Sequence, residues 1–131
     1  MLLNRTITPE LTLGVNQVTL KAFGETQPRM LQDGTTLKGF IFLKWSTGEA
    51  ESVHRIYVDE NNENDIEILN MYIKAIQEQV DFVGTIEDTL KYLKESQEKI
   101  TVLISERASE DGSKIYRNYQ YNKNVINSLT A

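Results

Sequence analysis

The chain contains no cysteine and a single histidine, His54. Disulfides, thiolate metal sites, Cys/His dyads and multi-histidine metal centres are thereby excluded. Two prolines and seven glycines in 131 residues leave no long linker-like tract. Hydrophobic runs are short, none approaching the roughly 20 residues of a membrane-spanning helix. Met1-Leu2-Leu3-Asn4-Arg5-Thr6 lacks the charged region and long apolar stretch of a signal peptide. These absences predict a cytoplasmic chain with no membrane partner. Catalytic signatures are missing as well. No serine sits in a Gly-x-Ser-x-Gly setting, and neither a P-loop nor a Gly-x-Gly-x-x-Gly turn occurs. The carboxylates of Asp59-Glu60-Asn61-Asn62-Glu63-Asn64-Asp65 lack the central glycine and terminal glutamate of a calcium loop, so they read as a solvated acidic loop. No enzyme activity and no cofactor are expected.

What is present is an ordinary soluble composition, 40% hydrophobic and 25% charged, in a length suited to one domain. The net charge of −5 is unevenly placed. Residues 1–58 carry +1, residues 59–98 carry −8 and residues 99–131 carry +2. Acidity concentrated in the middle leaves the remainder free to present a basic surface.

Periodicity divides the chain. Residues 1–12 form an arm. Residues 14–23 alternate as a first strand with Val18, Leu20 and Ala22 on one face. Residues 24–35, containing Pro28 and Asp33-Gly34, read as a long loop. Strands follow over 36–46 and 50–58, separated by the turn Ser46-Thr47-Gly48-Glu49, and should pair as an antiparallel hairpin. The period then changes: Ile66, Leu69, Ile73, Ile76 and Val80 mark an amphipathic helix near 65–81. Thr85-Ile86-Glu87-Asp88 is a capping box with Asp in place of Glu, opening a second helix over 86–96. Strands return over 99–106 and 114–122, around the turn Ser109-Glu110-Asp111-Gly112-Ser113, and residues 123–131 form a short tail that frays. Three strands, a helical segment and two strands are the order of the OB-fold, a five-stranded Greek-key barrel with its helix between strands 3 and 4. The predicted fold class is therefore mainly β with α, a single OB-fold-like domain with a helical insert.

One strand carries the functional signal. In Leu37-Lys38-Gly39-Phe40-Ile41-Phe42-Leu43-Lys44-Trp45 the odd positions other than Gly39 are apolar, while the even positions read Lys38, Phe40, Phe42, Lys44. A strand points alternate side chains to opposite faces, so a core face would back a strip of two rings flanked by two cations. Arg55 and Tyr57 repeat that chemistry on the third strand, and Arg117, Tyr119, Tyr121 and Lys123 on the fifth. Single-stranded nucleic acid offers base faces to stack on rings and phosphates to pair with cations. The same rings also suit a second buried face, with Phe40 and Phe42 under the helices and Tyr119 and Tyr121 in the core; both alternatives stand. His54 reads as a packed or surface residue.

The closing hairpin, Lys99-Ile-Thr-Val-Leu-Ile-Ser-Glu106, Asp111-Gly112 and Lys114-Ile-Tyr-Arg-Asn-Tyr119, resembles the last hairpin of small OB-fold single-stranded-DNA-binding proteins, most of all those of bacteriophages of Gram-positive bacteria. The resemblance lies in element order and hairpin texture over roughly residues 13–122, with no diagnostic motif. It implies sequence-independent coating of single strands in replication or recombination, with homo-oligomers and replication or recombination proteins as partners. Bacterial members carry a disordered tail with an acidic tip; Asn127-Ser-Leu-Thr-Ala131 has none, so recruitment by that route is not implied. The expected ligand is single-stranded DNA, with RNA left open, held by stacking on Phe40, Phe42, Tyr57, Tyr119 and Tyr121 and by phosphate contacts from Lys38, Lys44, Arg55, Arg117 and Lys123. Arg29 in the 24–35 loop would close over it. The alternative is an acidic protein-interaction module, such as a phage accessory, assembly or inhibitor protein, working through the 59–98 segment.

Overall fold

A computed structural model describes residues 1–130. The elements are β1 (Gly14–Thr26), β2 (Arg29–Met30), β3 (Thr36–Leu37), β4 (Gly39–Ser46), β5 (Glu51–Val58), α1 (Glu63–Val80), α2 (Ile86–Ser96), β6 (Ile100–Ala108), β7 (Ile115–Gln120) and α3 (Lys123–Thr130). Five strands form one antiparallel sheet in the order β5-β4-β1-β6-β7, while β2 and β3 make a two-stranded hairpin of their own. Among the described residues no helix is long and apolar enough to cross a membrane.

β1 is the hinge of the sheet. Its first half, Gly14 to Val18, pairs with β6, and its second half, Thr19 to Thr26, pairs with β4. Between the two, the register slips by one residue, because Leu20 faces Trp45 and Ala22 faces Lys44. Lys21 is the extra residue of a bulge, which bends a strand and increases its twist. The bulge also reverses the alternation. Val18 and Leu20 are buried, but beyond Lys21 it is Phe23, opposite Leu43, that packs against the core. The shared face expected for Val18, Leu20 and Ala22 therefore breaks at Ala22.

The inner surface is filled by Val18 and Leu20 from β1, Leu43 and Trp45 from β4, Ile56 from β5, and Ile100, Val102 and Ile104 from β6. α1 covers it with Leu69, Ile73, Ile76 and Val80, and α2 with Leu90 and Leu93. α1 lies against β5 and β6, and α2 against β1. Asn62 caps α1 by accepting from the amides of Asn64 and Asp65. The capping box of α2 is formed: Thr85 Oγ1 accepts from the Asp88 amide and the Asp88 carboxylate accepts from the Thr85 amide. Gly48, at φ +95°, makes the β4–β5 turn, a conformation that favours glycine.

Three expectations need correcting. Residues 123–130 are a helix rather than a fraying tail, because Asn122 accepts from the amides of Asn124 and Val125 and Ile126 is buried. The 24–35 loop holds β2, which pairs with residues 36 and 37 (Arg29–Leu37, Met30–Thr36), so the strand expected over 36–46 divides at Lys38 and Leu37 is exposed rather than on the core face. The sheet is also not closed by a ladder, since β5 and β7 remain its two edges. The edges are joined by other means. Tyr119 Oη donates to the Val53 carbonyl at 3.3 Å, and the Tyr119 ring stacks on His54 at 4.3 Å. The end of the arm takes up part of the remaining edge: Glu51 N donates to the Pro9 carbonyl, Leu11 N to Ser52 Oγ, and Arg117 Nη1 to the Leu11 carbonyl.

Candidate nucleic-acid interface

Cross-strand register assembles the outer face of β4 and β5. Phe40 pairs with Tyr57, Phe42 with Arg55 and Lys44 with Val53. The Phe40 and Tyr57 rings lie 5.2 Å apart at 58°, within the range of attractive aromatic pairs. The Arg55 guanidinium carbon sits 5.8 Å from the centre of the Phe40 ring, a cation–π distance. Tyr57 is 56% exposed, Arg55 is exposed, and Phe40 and Phe42 are half-buried, Phe40 also bordering a cleft lined by Ile66 of α1 and Ile86 of α2. β1 supplies the floor beside them. Gly24 faces Phe42, and a Cβ there would come within 2.6 Å of the Phe42 ring, so glycine is what lets the ring lie down on β1.

The cations of this face differ in how free they are. Lys44 pairs with Glu51 at 3.2 Å, and Lys21 pairs with the same carboxylate. The two lysines hold the Glu51 carboxyl below its usual range, Lys21 first. Lys38 bonds Asp65 at the start of α1 at 2.8 Å, which raises the lysine and lowers the aspartate from their usual values. Arg55 makes no ion pair among the described residues, so of the strip cations it is the one ready for a new anion.

Beyond β5 the face continues into a groove of about 560 Å³ between β5 and β7. Lys44, Arg55 and Tyr57 line one wall and Tyr116 and Arg117 the other. Arg117 is held there by Glu10 at 3.3 Å and by the Leu11 carbonyl.

Two expected stacking residues are inside the protein. Tyr121 is 0% exposed and Tyr119 7%. The Trp45 indole donates to Tyr121 Oη at 2.8 Å, and Tyr121 Oη lies 2.6 Å from His54 Nδ1. Since the phenol must donate onward, His54 Nδ1 is the acceptor and the ring is neutral. Burial depresses the His54 pKa to about 3 and raises that of Tyr121. Tyr72 closes the cluster, edge-on to both His54 and Tyr121. Residues 115, 117, 119 and 121 do share one side, but only its end turns inward: Ile115 is exposed and Arg117 lines the groove, while Tyr119 and Tyr121 are buried and Gln79 Nε2 of α1 binds the Tyr121 carbonyl. Lys123 is exposed at the start of α3, outside β7 and the groove. Arg29 is exposed on the β2–β3 hairpin.

One residue was not foreseen. Tyr116 is exposed, lines the groove and carries the Arg107 guanidinium 5.0 Å above its ring. Counting outward from Asp111-Gly112 pairs Arg107 with Tyr116, so turn symmetry was the signal that could have found it.

No family model matches the chain, and no curated protein matches it in sequence.

Proposed function

We propose that this chain binds single-stranded nucleic acid without sequence preference, on an OB-fold-like scaffold. The observation that carries the reading is the outer face of β4–β5, where Phe40, Phe42 and Tyr57 lie beside an unpaired Arg55. Flat rings accept any base, at about 1–3 kcal/mol per stacked base, and the guanidinium meets the phosphate between. Tyr116 and Arg117 across the groove continue the path for the strand. The strand order β5-β4-β1-β6-β7, with α1 and α2 between β5 and β6, supports the OB-fold assignment even though side chains rather than a ladder join the edges. The exposed acids Glu67, Glu78 and Asp81 lie on or just beyond α1, where they would repel a phosphate chain and direct it to the strand face. DNA in replication or recombination is the proposed setting.

The test is a titration of labelled oligo-dT followed by anisotropy at several salt concentrations. Binding that weakens steeply as salt rises, and that Phe40→Ala and Tyr57→Ala each reduce about tenfold, is expected. Absence of binding at low salt overturns the proposal.

A further inference from the structure

Two features extend beyond the strip on the outer face: an open apolar cleft that borders Phe40, and the first seven residues of the arm, whose large apolar side chains are exposed. The cleft, about 500 Å³, opens where the ends of β1 and β5 and the start of β4 meet the first turns of α1 and α2. Phe23, Phe40, Ile41, Ile66, Leu69 and Leu90 line it. Its volume lies in the range of about 300–1,000 Å³ typical of ligand pockets. Its charged lining is of one sign, from Glu25, Glu60 and Glu87. The arm is its complement. Leu3 is 92% and Ile7 88% exposed, and Leu2 is exposed beside them. Arg5, the one charged side chain in residues 1–9, is also exposed and makes no salt bridge among the described residues. With Met1, 95% exposed, Leu2, Leu3 and Ile7 make four large apolar side chains held in water on one short segment, unusual for a chain that stays alone.

We propose that the cleft receives the arm of a second copy of this chain, with Leu2, Leu3 and Ile7 as apolar anchors and Arg5 against the glutamate rim. Geometry argues against the chain filling its own cleft. The arm is anchored at Pro9, whose carbonyl accepts from Glu51 at the start of β5. The cleft lies past Val58, at the other end of that strand. Glu51 to Val58 spans about 23 Å at strand rise. From Pro9, Leu2 can reach at most about 25 Å, Leu3 about 21 Å, Arg5 about 14 Å and Ile7 about 7 Å, so the anchors cannot be seated together in the chain's own cleft. In a neighbouring copy no such limit applies. Because the arm and the cleft are different surfaces, two copies either exchange arms reciprocally in a closed dimer or pass them head-to-tail along a ring or chain of protomers. The contact does not depend on nucleic-acid binding.

The absence of cysteine makes the test clean. One preparation carries Leu3→Cys and a second, differently tagged, carries Glu87→Cys; they are mixed without nucleic acid under mild oxidation. A mixed disulfide at least tenfold above that of Leu3→Cys with Glu110→Cys, a hairpin-turn control, is expected. Adding Arg5→Glu to the first chain should reduce it several-fold, and adding Glu60→Lys to the second should restore it. Sedimentation of the unmodified chain should show concentration-dependent association that Leu3→Asp/Ile7→Asp shifts to at least tenfold higher concentration. Cross-linking no greater than the control overturns the proposal. So does a chain carrying both cysteines that closes only within the monomer at every concentration.

Discussion

Phe40-x-Phe42 on β4 and Tyr119-x-Tyr121 at the end of β7 are the same motif: two rings on one side of an extended segment, with a basic residue two positions before the first. Their fates are opposite. The phenylalanines sit on the outer face with Arg55 and Tyr57, over a glycine. The tyrosines sit among Trp45, His54 and Tyr72 under α1. Alternation tells which residues share a side of a strand. Which side is wet depends on where the rest of the chain folds over it. The hydroxyl marks the difference here, because a buried tyrosine needs a partner. Tyr121 finds two in Trp45 and His54, and Tyr119 finds the Val53 carbonyl. A phenylalanine on a sheet face has no such demand.

The contrast can be broken from either side. Tyr121→Ala should have the largest effect, lowering stability by about 3–5 kcal/mol through the cavity and the lost hydrogen bonds. Urea unfolding measures it, and oligo-dT affinity of the fraction that remains folded should be unchanged. Acid acts on the same cluster through His54. Above about pH 6.5 the imidazole is neutral in both states and contributes no pH dependence. As pH falls below 6.5, the unfolded chain takes up a proton that the folded one refuses until about pH 3. Stability therefore falls by up to about 1.4 kcal/mol per pH unit across that window, some 2 kcal/mol by pH 5. Unfolding curves of the wild type and His54→Gln between pH 7 and 5 check this; the variant should lack most of the slope.

On the outer face the pattern reverses. Phe40→Ala or Tyr57→Ala should cost about 1–3 kcal/mol in oligo-dT affinity, with less loss of stability than Tyr121→Ala. Equal losses of stability in the two sets would erase the distinction. The smallest effect belongs to Arg55→Gln, which should flatten the slope of log affinity against log salt by about 0.7, the release expected from one phosphate of a single strand.

Much of the scaffold was legible. The change of period from 2 to 3.6 at Ile66 marked α1, Thr85-x-x-Asp88 marked the start of α2, and Gly48 and Gly112 marked the turns. The five long strands fell close to where alternation put them, although 36–46 divides at Lys38 and the last strand stops at Gln120, before Tyr121. Other features are decided by single contacts that leave little trace in a pattern. The slip at Lys21 is one residue in a strand of thirteen, yet it exchanges Ala22 for Phe23 in the core. Residues 123–130 lack a long apolar stripe and form a helix because Asn122 caps them and Ile126 is covered. Within the candidate interface, Phe40, Phe42, Lys44, Arg55 and Tyr57 were legible because register on a tight hairpin follows from its turn. Arg117 reaches the same groove from a strand that is not paired with β5. The inward turn of Tyr119 and Tyr121 depends on α1, some 40 residues away, and no local rule carries that information.

Trp45 is the only tryptophan of the chain, and its indole is wholly enclosed and hydrogen-bonded to Tyr121. It belongs to the same strand as Phe40 and Phe42 but to the opposite side. Its emission is consequently an optical gauge of the interior, with a blue-shifted spectrum while the Trp45–Tyr121–His54 cluster is intact and a red shift when water enters. A substitution on the outer face that abolishes binding while leaving that spectrum in place has changed the surface alone, and each sample would report its own folded state in the cuvette.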